Sequence, residues 1–166
     1  MTRKWKLLLG IAPVVIALDQ WTKIEILKHF TLGESLPLIP NFFEFTYVRN
    51  TGAAFGFLAD AHPEFRVPFF ILVPLIALGA IGYLFRALPG QSRLLATALS
   101  LVVGGAIGNL IDRVRLGFVV DFLSFHYKSM YYFPAFNVAD SAICIGVGIL
   151  MLDLLLQKET EETKSS

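Results

Sequence analysis

Asp121 and Asp140 are the residues of this chain whose setting best suits proton transfer. Asp121 follows two valines and has no basic residue three or four positions away, and a carboxyl without a partner among apolar residues has a raised pKa. Asp140 lies three residues after Asn137, the spacing of a helix cap, where the helix dipole favours a carboxylate. Such a pair, brought together, supplies a general acid and a general base, as in aspartic proteases. Spacing alone also allows a proton or ion pathway.

Five polar residues on two other segments could join the same site. Asp19 and Lys23 are four positions apart with the acid first, the favourable order for an ion pair on a helix. Asn109, Asp112 and Arg113 are three and four positions apart, so one face of a second helix carries all three. Ionisable groups at membrane depth are costly unless they are paired or solvated, so by default they indicate a functional site.

The segments that carry these residues belong to an integral membrane protein. Hydrophobic residues make up 55% of the 166 residues and charged residues 16%, against about 25% charged in soluble domains. Residues 67–85 and 94–111 are uncharged runs, each long enough to cross a hydrocarbon core of about 30 Å. Gly104 and Gly108 form a small-residue surface suited to close helix contact. With two less uniform segments, four transmembrane helices are predicted over residues 7–27, 67–85, 94–112 and 138–156.

The first of these segments also has the pattern of a cleaved export signal. Arg3, Lys4 and Lys6 precede an apolar stretch of about 12 residues. No small-x-small cleavage site follows Leu18, and the helical spacing continues beyond Asp19. We therefore expect a retained first helix.

The stretch between the first two helices is predicted to form strands outside the membrane. Residues 43–47, Phe-Glu-Phe-Thr-Tyr, alternate with period two, and Asn50-Thr51-Gly52 follows as a turn. The expected fold class is an all-α polytopic membrane protein with four transmembrane helices and a small extracytoplasmic β-sheet over residues 31–65. The chain, 1–166, forms one integral membrane domain, and its charged tail, 157–166, is expected to be disordered and cytoplasmic.

Basic residues predict the orientation, because Lys and Arg are enriched in short cytoplasmic loops. They stand before the first helix, between the second and third helices, and after the fourth: Arg3, Lys4, Lys6, Arg86, Arg93, Lys158 and Lys164. Both termini are therefore predicted to be cytoplasmic. A rise of about 1.5 Å per residue then places Asp19, Arg113 and Asp140 in the outer half of the bilayer.

Composition argues against several other kinds of site. The net charge of +1 and the lack of a basic stripe with interleaved aromatic residues give no sign of nucleic-acid binding. No cluster of Cys and His has the spacing of a metal site, so no metal is expected. Cys144 could act as a nucleophile with His126, which would be a rival mechanism. Its position in an apolar part of the fourth helix would keep the thiol neutral and inert.

Five blocks of sequence, in order along almost the whole chain, resemble those of the bacterial lipoprotein signal peptidases (signal peptidase II). They are Asp19-Gln-Trp-Thr-Lys23, Arg49-Asn-Thr-Gly-Ala-Ala-Phe55, Gly104-Gly-Ala-Ile-Gly-Asn-Leu-Ile-Asp-Arg113, Val119-Val-Asp-Phe122 and Phe136-Asn-Val-Ala-Asp-Ser141. The resemblance implies an aspartic endopeptidase of the bacterial inner membrane that cleaves diacylglyceryl-modified prolipoproteins just before the lipidated cysteine. It implies prolipoprotein and membrane lipid as partners and no cofactor, and we expect a monomer.

The resemblance also assigns roles to individual residues. Asp121 and Asp140 match the catalytic dyad. The polar positions that hold the substrate backbone or orient the dyad match Asn50, Asn109, Arg113 and Asn137. The positions of structural polar support match Asp19, Lys23 and Asp112. In the family, the segment that corresponds to residues 31–65 is a surface sheet and lid around the substrate, so the resemblance implies a lid here. Residues 61–65, Ala-His-Pro-Glu-Phe, depart from the family pattern, since many relatives carry a tryptophan-containing stretch there.

A small proton- or ion-coupled transporter is the alternative from another functional class. Intramembrane Asp, Lys and Arg are also the residues that proton relays use. Four spans without an internal repeat or broken helices argue against alternating access.

Overall fold

Among the described residues, four helices are long and apolar enough to cross a membrane. The computed structural model describes residues 1–52, 58, 61–90, 92–128 and 130–165, with the backbone alone for 157–165. The elements in chain order are α1 (Arg3–His29), β1 (Ser35–Ile39), β2 (Phe43–Asn50), α2 (Pro63–Ala87), α3 (Arg93–Leu116), β3 (Val119–Tyr127), β4 (Tyr131–Tyr132) and α4 (Val138–Ser165). The predicted fold class is confirmed, and each predicted span lies inside one of the four helices.

Helix α3 is the centre of the bundle, because α1, α2 and α4 all pack against it. Glycines on α3 allow two of these helices to come close. A Cβ atom on Gly104 would lie 2.8 Å from Cβ of Val15 on α1, and one on Gly105 would collide with the carbonyl oxygen of Ala139 on α4. Gly108, one turn after Gly104, also faces α1. The predicted small-residue surface is confirmed, and its neighbour Gly105 extends the close contact to a third helix.

A four-stranded antiparallel sheet, in the order β1-β2-β3-β4, lies at the end of the bundle where α1 ends and α4 begins. The register of β2 and β3 places Val48 opposite Asp121 and Asn50 opposite Val119. The sequence predicted strands only between α1 and α2, whereas β3 and β4 come from the loop between α3 and α4. Most residues of β3 are buried whichever face they point to, so the period-two hydrophobic signal of a strand is absent there.

An apolar cluster joins the sheet to α1. It contains Ile26 on α1, Tyr47 on β2, and Val120 and Phe122 on β3. Successive side chains of a strand point to opposite faces. Because Val120 and Phe122 are held in this cluster, Asp121 between them points to the other face of β3.

Helix α2 is the least buried of the four. Phe70 and Phe85 are the buried residues of this fully described helix. At the end of the bundle opposite the sheet, the ammonium group of Lys4 donates to the carbonyl oxygens of Phe85, Arg86 and Leu88 at 2.9, 2.9 and 2.6 Å. These hydrogen bonds satisfy carbonyl groups that a helix end leaves without partners, and they tie α2 to α1.

The end of the chain differs from its prediction. The charged composition of residues 157–166 predicted a disordered tail, but α4 continues as a helix through Ser165. No glycine or proline follows Gly148, so nothing interrupts the backbone, and Gln, Lys and Glu are good helix formers. Part of the predicted sheet and lid segment, residues 53–57 and 59–60, lies outside the described residues.

Gly105→Ala is expected to lower the thermal unfolding midpoint in detergent, because its methyl group would press on the carbonyl oxygen of Ala139 and force α3 from α4. Overpacking of this kind costs about 1–3 kcal/mol. Gly148→Ala on α4 is the matched control, since nothing lies within 4 Å of a Cβ atom there. Alanine favours a helix more than glycine does, so the control should unfold at the same or a higher temperature. An equal loss in both variants would contradict the close contact.

Candidate active site

Asp121 and Asp140, here called the aspartate pair, come together at the start of α4 around Asn137. Nδ2 of Asn137 donates a hydrogen bond to Oδ1 of Asp121 at 2.7 Å. The backbone N–H of Asn137 donates to Oδ2 of Asp140 at 3.1 Å. Asn137 is 0% exposed and Asp121 is 1% exposed, so this bridge is shielded from bulk water. One buried residue therefore connects the two carboxyl groups.

Asn137 caps α4, as the sequence predicts. Its Oδ1 accepts a hydrogen bond from the backbone N–H of Asp140 at 2.9 Å, and Oδ2 of Asp140 accepts one in return from the N–H of Asn137. This reciprocal pair is a capping box in which Asp takes the place of the usual Glu or Gln. The positive end of a helix dipole stabilises a carboxylate in the first turn, which is where Asp140 lies.

Three asparagines present their amide NH₂ groups to the aspartate pair. In each of them, a group that can only donate occupies the amide oxygen, which fixes the NH₂ group on the other side. The donors are the backbone N–H of Gly52 to Asn50 at 3.1 Å, the ammonium of Lys23 to Asn109 at 2.9 Å and the backbone N–H of Asp140 to Asn137 at 2.9 Å. None of the three amides can be turned over without the loss of a hydrogen bond.

Each oxygen of the aspartate pair accepts a hydrogen bond. Asn50 and Asn137 donate to the two oxygens of Asp121 at 2.9 and 2.7 Å. Asn109 donates to Oδ1 of Asp140 at 2.8 Å, and the N–H of Asn137 donates to Oδ2. A carboxylate oxygen has two lone pairs, so each oxygen keeps one for water or substrate. The hydrogen bonds therefore orient both carboxyl groups and leave each oxygen able to accept one more.

A buried group of charges, here called the ion cluster, lies behind the aspartate pair and consists of Asp19, Lys23 and Asp112. Nζ of Lys23 is 2.9 Å from Oδ2 of Asp19 and 3.1 Å from Oδ2 of Asp112, and the three side chains are at most 3% exposed. The predicted ion pair between Asp19 and Lys23 is confirmed. Buried charges are tolerated only when they are paired and hydrogen-bonded, and each member of this cluster meets that condition.

The ion cluster also holds the backbone on which the aspartate pair is mounted. Oδ1 of Asp19 accepts a hydrogen bond from the N–H of Ala139 at 3.0 Å, and Oδ2 of Asp112 accepts one from the N–H of Val120 at 3.0 Å. Ala139 and Val120 are the residues directly before the two members of the pair. The predicted support residues therefore contact the two backbone segments that carry the candidate catalytic groups.

Gln20 joins the ion cluster, although sequence analysis gave it no role. Its Nε2 donates to Oδ1 of Asp112 at 2.9 Å and to the carbonyl oxygen of Gly108 at 3.1 Å. A polar residue in an apolar span is the same signal that marked Asp19 and Lys23. An uncharged amide is a weaker form of that signal, because it is less costly to place in a membrane than an ion.

Arg113 takes a different direction from its neighbour Asp112. Its Nη2 donates to the carbonyl oxygen of Gly52, just after β2, at 2.7 Å. Cζ of Arg113 lies 4.3 Å from the ring centre of Phe70 on α2. Both residues line a small surface pocket where β2, α2 and α3 meet. Two residues that the sequence places side by side thus have separate partners.

Burial, and after it the negative charge of Asp140, raises the pKa of the Asp121 carboxyl from 3.8 to about 7. The hydrogen bonds from Asn50 and Asn137 act in the opposite direction, because they stabilise the carboxylate. The predicted direction of the pKa shift is confirmed. No basic residue lies three or four positions from Asp121 in the sequence, and its hydrogen-bond partners come from β2 and from the start of α4.

The structure does not bring together the rival pair of Cys144 and His126. Cys144 lies exposed on α4. His126 lies five residues beyond Asp121 along β3, about 17 Å away, and its ring stacks on Tyr132 at 4.9 Å. In the part of the chain that the structure describes, no group of three or more His, Cys, Asp or Glu side chains could hold a metal ion.

A family model described as signal peptidase (SPase) II matches residues 11–156. The chain belongs to the signal peptidase II family. A lipoprotein signal peptidase of Syntrophotalea carbinolica is 54% identical over 149 residues, which cover 90% of this chain and 91% of that protein. One of Geobacter sulfurreducens is 52% identical over 143 residues, which cover 86% of this chain and 88% of that protein.

Two solved structures of bacterial membrane enzymes, both obtained by the in meso method, have a fold similar to that of this chain. One has a TM-score of 0.80 and covers 92% of this chain and 90% of its own, at 36% identity. The other has a TM-score of 0.76 and covers 89% of this chain and 92% of its own, also at 36% identity. The family resemblance is confirmed, and the protein is a multi-pass membrane protease, not the transporter considered as an alternative.

The stability of Asp121→Asn relative to the wild type is expected to rise as pH rises from about 4 to about 7. Because the pKa of Asp121 is about 7 in the folded state and 3.8 without the surrounding structure, only the folded state keeps this proton between about pH 4 and pH 7. The free energy of unfolding therefore falls as pH rises through this window. Asparagine cannot ionise, so the free energy of unfolding of the variant should not fall in this way. Thermal unfolding midpoints of both proteins at about pH 5 and about pH 8 measure this; a difference that does not grow with pH would contradict the raised pKa.

Proposed function

We propose that this enzyme removes the signal peptide from diacylglyceryl-modified prolipoproteins, just before the lipidated cysteine, and that Asp121 and Asp140 activate the attacking water. The observation that carries the proposal is that Asn137 joins the two carboxyl groups while each of their oxygens accepts a hydrogen bond. Relatives that are 54% and 52% identical bear the name lipoprotein signal peptidase, which supports the substrate class.

The aspartate pair shares one proton at the start of the reaction. Asp121, with a pKa of about 7, holds that proton, and Asp140 at the start of α4 is the carboxylate. Asp140 takes a proton from water while Asp121 gives its proton to the oxygen of the scissile carbonyl. The hydroxide adds to the carbonyl carbon, and the product of this step is a neutral tetrahedral diol.

Collapse of the diol reverses the roles of the two residues. Asp140 gives its proton to the nitrogen of the lipidated cysteine as the carbon–nitrogen bond breaks. Asp121 takes a proton from one hydroxyl of the diol, which leaves a carboxylic acid at the end of the signal peptide. The pair is then in its starting state. Asn109 and Asn137 hold the two oxygens of Asp140 in place for both steps.

The site is proposed to face the outer leaflet of the bacterial inner membrane, with both termini in the cytoplasm. Arg86 lies in the last turn of α2, Arg93 begins α3, and Arg3 begins α1 at the same end of the bundle. Short cytoplasmic loops are enriched in basic residues. The sheet and the aspartate pair lie at the opposite end, where a lipidated precursor in the outer leaflet can reach them. A single chain supplies all these groups, so the enzyme is proposed to work as a monomer.

Asp121→Asn and Asp140→Asn should each lower cleavage about 10³-fold, because each removes one proton-transfer group while keeping nearly the same shape. Release of the signal peptide from a purified diacylglyceryl-modified prolipoprotein, followed on a gel, measures this. Cys144→Ala is the control and should cleave like the wild type, since Cys144 lies exposed on α4. Cleavage that survives both Asn variants would discard the dyad, and loss in Cys144→Ala with the fold intact would implicate the thiol.

An unlipidated precursor is expected to bind much more weakly than the diacylglyceryl form, with a KM at least about tenfold higher. Two acyl chains can lie against apolar helix faces, and each buried CH₂ group contributes about 0.8 kcal/mol. Steady-state cleavage of the two precursors in the same detergent measures the difference. Equal kcat/KM values would show that the peptide alone is recognised.

A further inference from the structure

The middle of α2 contributes little to the core, yet each end of the helix places one phenylalanine in it. Phe70 is 7% exposed and Phe85 is 2% exposed, and they are fifteen residues, or about 22 Å, apart along the helix. Between them α2 exposes large apolar side chains: Leu72, Val73, Leu75, Ile76, Tyr83 and Leu84. Phe85 lies at the Lys4 end, whereas Phe70 lies at the end that carries the aspartate pair.

The ring of Phe70 lies against the guanidinium of Arg113, with Cζ 4.3 Å from the ring centre. A cation at this distance from an aromatic face is attracted to it, and the attraction is stronger away from water. Stacking occupies the flat face of a guanidinium and leaves the N–H groups in its plane available. Nη2 of Arg113 donates a hydrogen bond to the carbonyl oxygen of Gly52 at 2.7 Å. Phe70 therefore helps to hold the guanidinium of Arg113 where it can reach Gly52.

Gly52 connects Arg113 to the aspartate pair. While its carbonyl oxygen accepts from Arg113, its N–H donates to Oδ1 of Asn50 at 3.1 Å. That hydrogen bond turns the NH₂ group of Asn50 toward Oδ2 of Asp121, to which it donates at 2.9 Å. A shift of Gly52 would thus move a hydrogen-bond donor away from Asp121.

We propose that Phe70 is a positioning residue for peptide cleavage, which keeps the amide of Asn50 on Asp121 by holding Arg113 against Gly52. Phe70 touches none of the reacting atoms and acts only through Arg113. The inference rests on the proposed function of Asp121. Helix α2, which is mostly exposed, would thus help to position the candidate catalytic residue Asp121.

Phe70→Leu keeps an apolar side chain and removes the aromatic face, so it is expected to lower kcat about 5- to 30-fold with little change in KM. Phe70→Trp should retain most of the wild-type kcat, because indole is also a good cation partner. Phe85→Leu is the matched control, since it makes the same change at the buried far end of α2. It should lower the thermal unfolding midpoint and leave kcat as it is.

A double-mutant cycle with Arg113→Lys tests the connection, because lysine lacks the planar fork that stacks and donates at once. In the Arg113→Lys background, Phe70→Leu should lower kcat by less than about twofold. Three results would overturn the proposal: a full further loss in the double variant, an equal kcat loss in Phe85→Leu, or a Phe70→Trp variant as slow as Phe70→Leu.

Hydrogen exchange gives a measurement that does not need cleavage. The N–H of Gly52 is bonded to Asn50, so NMR should show faster exchange of this amide in Phe70→Leu than in the wild type or in Phe85→Leu. Unchanged exchange in Phe70→Leu would overturn the positioning role. If the wild type fails to cleave a lipidated precursor, the proposed function fails, and the exchange of Gly52 still decides the role of Phe70.

Discussion

The ammonium group of Lys23 is the interaction on which the geometry of the site depends. It lies within 3.1 Å of Asp19, Asp112 and Asn109, on two different helices. Removing a charge from water is costly, and this cost is offset only when the charge is fully paired and hydrogen-bonded. The loss of any one of these partners would leave another buried group without compensation. The residues around Lys23 therefore depend on one another, and they stabilise the fold only as a complete set.

Each partner of Lys23 makes one further hydrogen bond toward the aspartate pair. The contacts join Asp19 to the N–H of Ala139, Asp112 to the N–H of Val120, and Asn109 to Asp140. Two elements that are separate in the chain, β3 and α4, are in this way held to the same rigid centre on α1 and α3. This arrangement gives two carboxyl groups from different elements one fixed relation, which shared proton transfer requires.

The ion cluster also explains why α3 has a glycine at position 108. A Cβ atom there would lie 2.6 Å from Oδ2 of Asp19, the oxygen that pairs with Lys23. The spacing of Gly104 and Gly108 predicted a surface for helix packing. That interpretation is sufficient for Gly104, which faces Val15. Gly108 in addition makes room for a charged group, and nothing in the local sequence distinguishes the two cases.

The sequence by itself determined the four helices, the cap at Asn137 and the Asp19–Lys23 pair, because hydropathy, capping and i,i+4 spacing act within a few residues. It did not indicate β3 as a strand, the helical end of α4, or the parts played by Gln20 and Phe70. Only the tertiary structure decided which polar groups meet: Lys23 and Asn109 are 86 positions apart, and Asn50 and Asp121 are 71 apart. Such contacts depend on how closely α1, α3 and the sheet pack, and no local pattern encodes that distance.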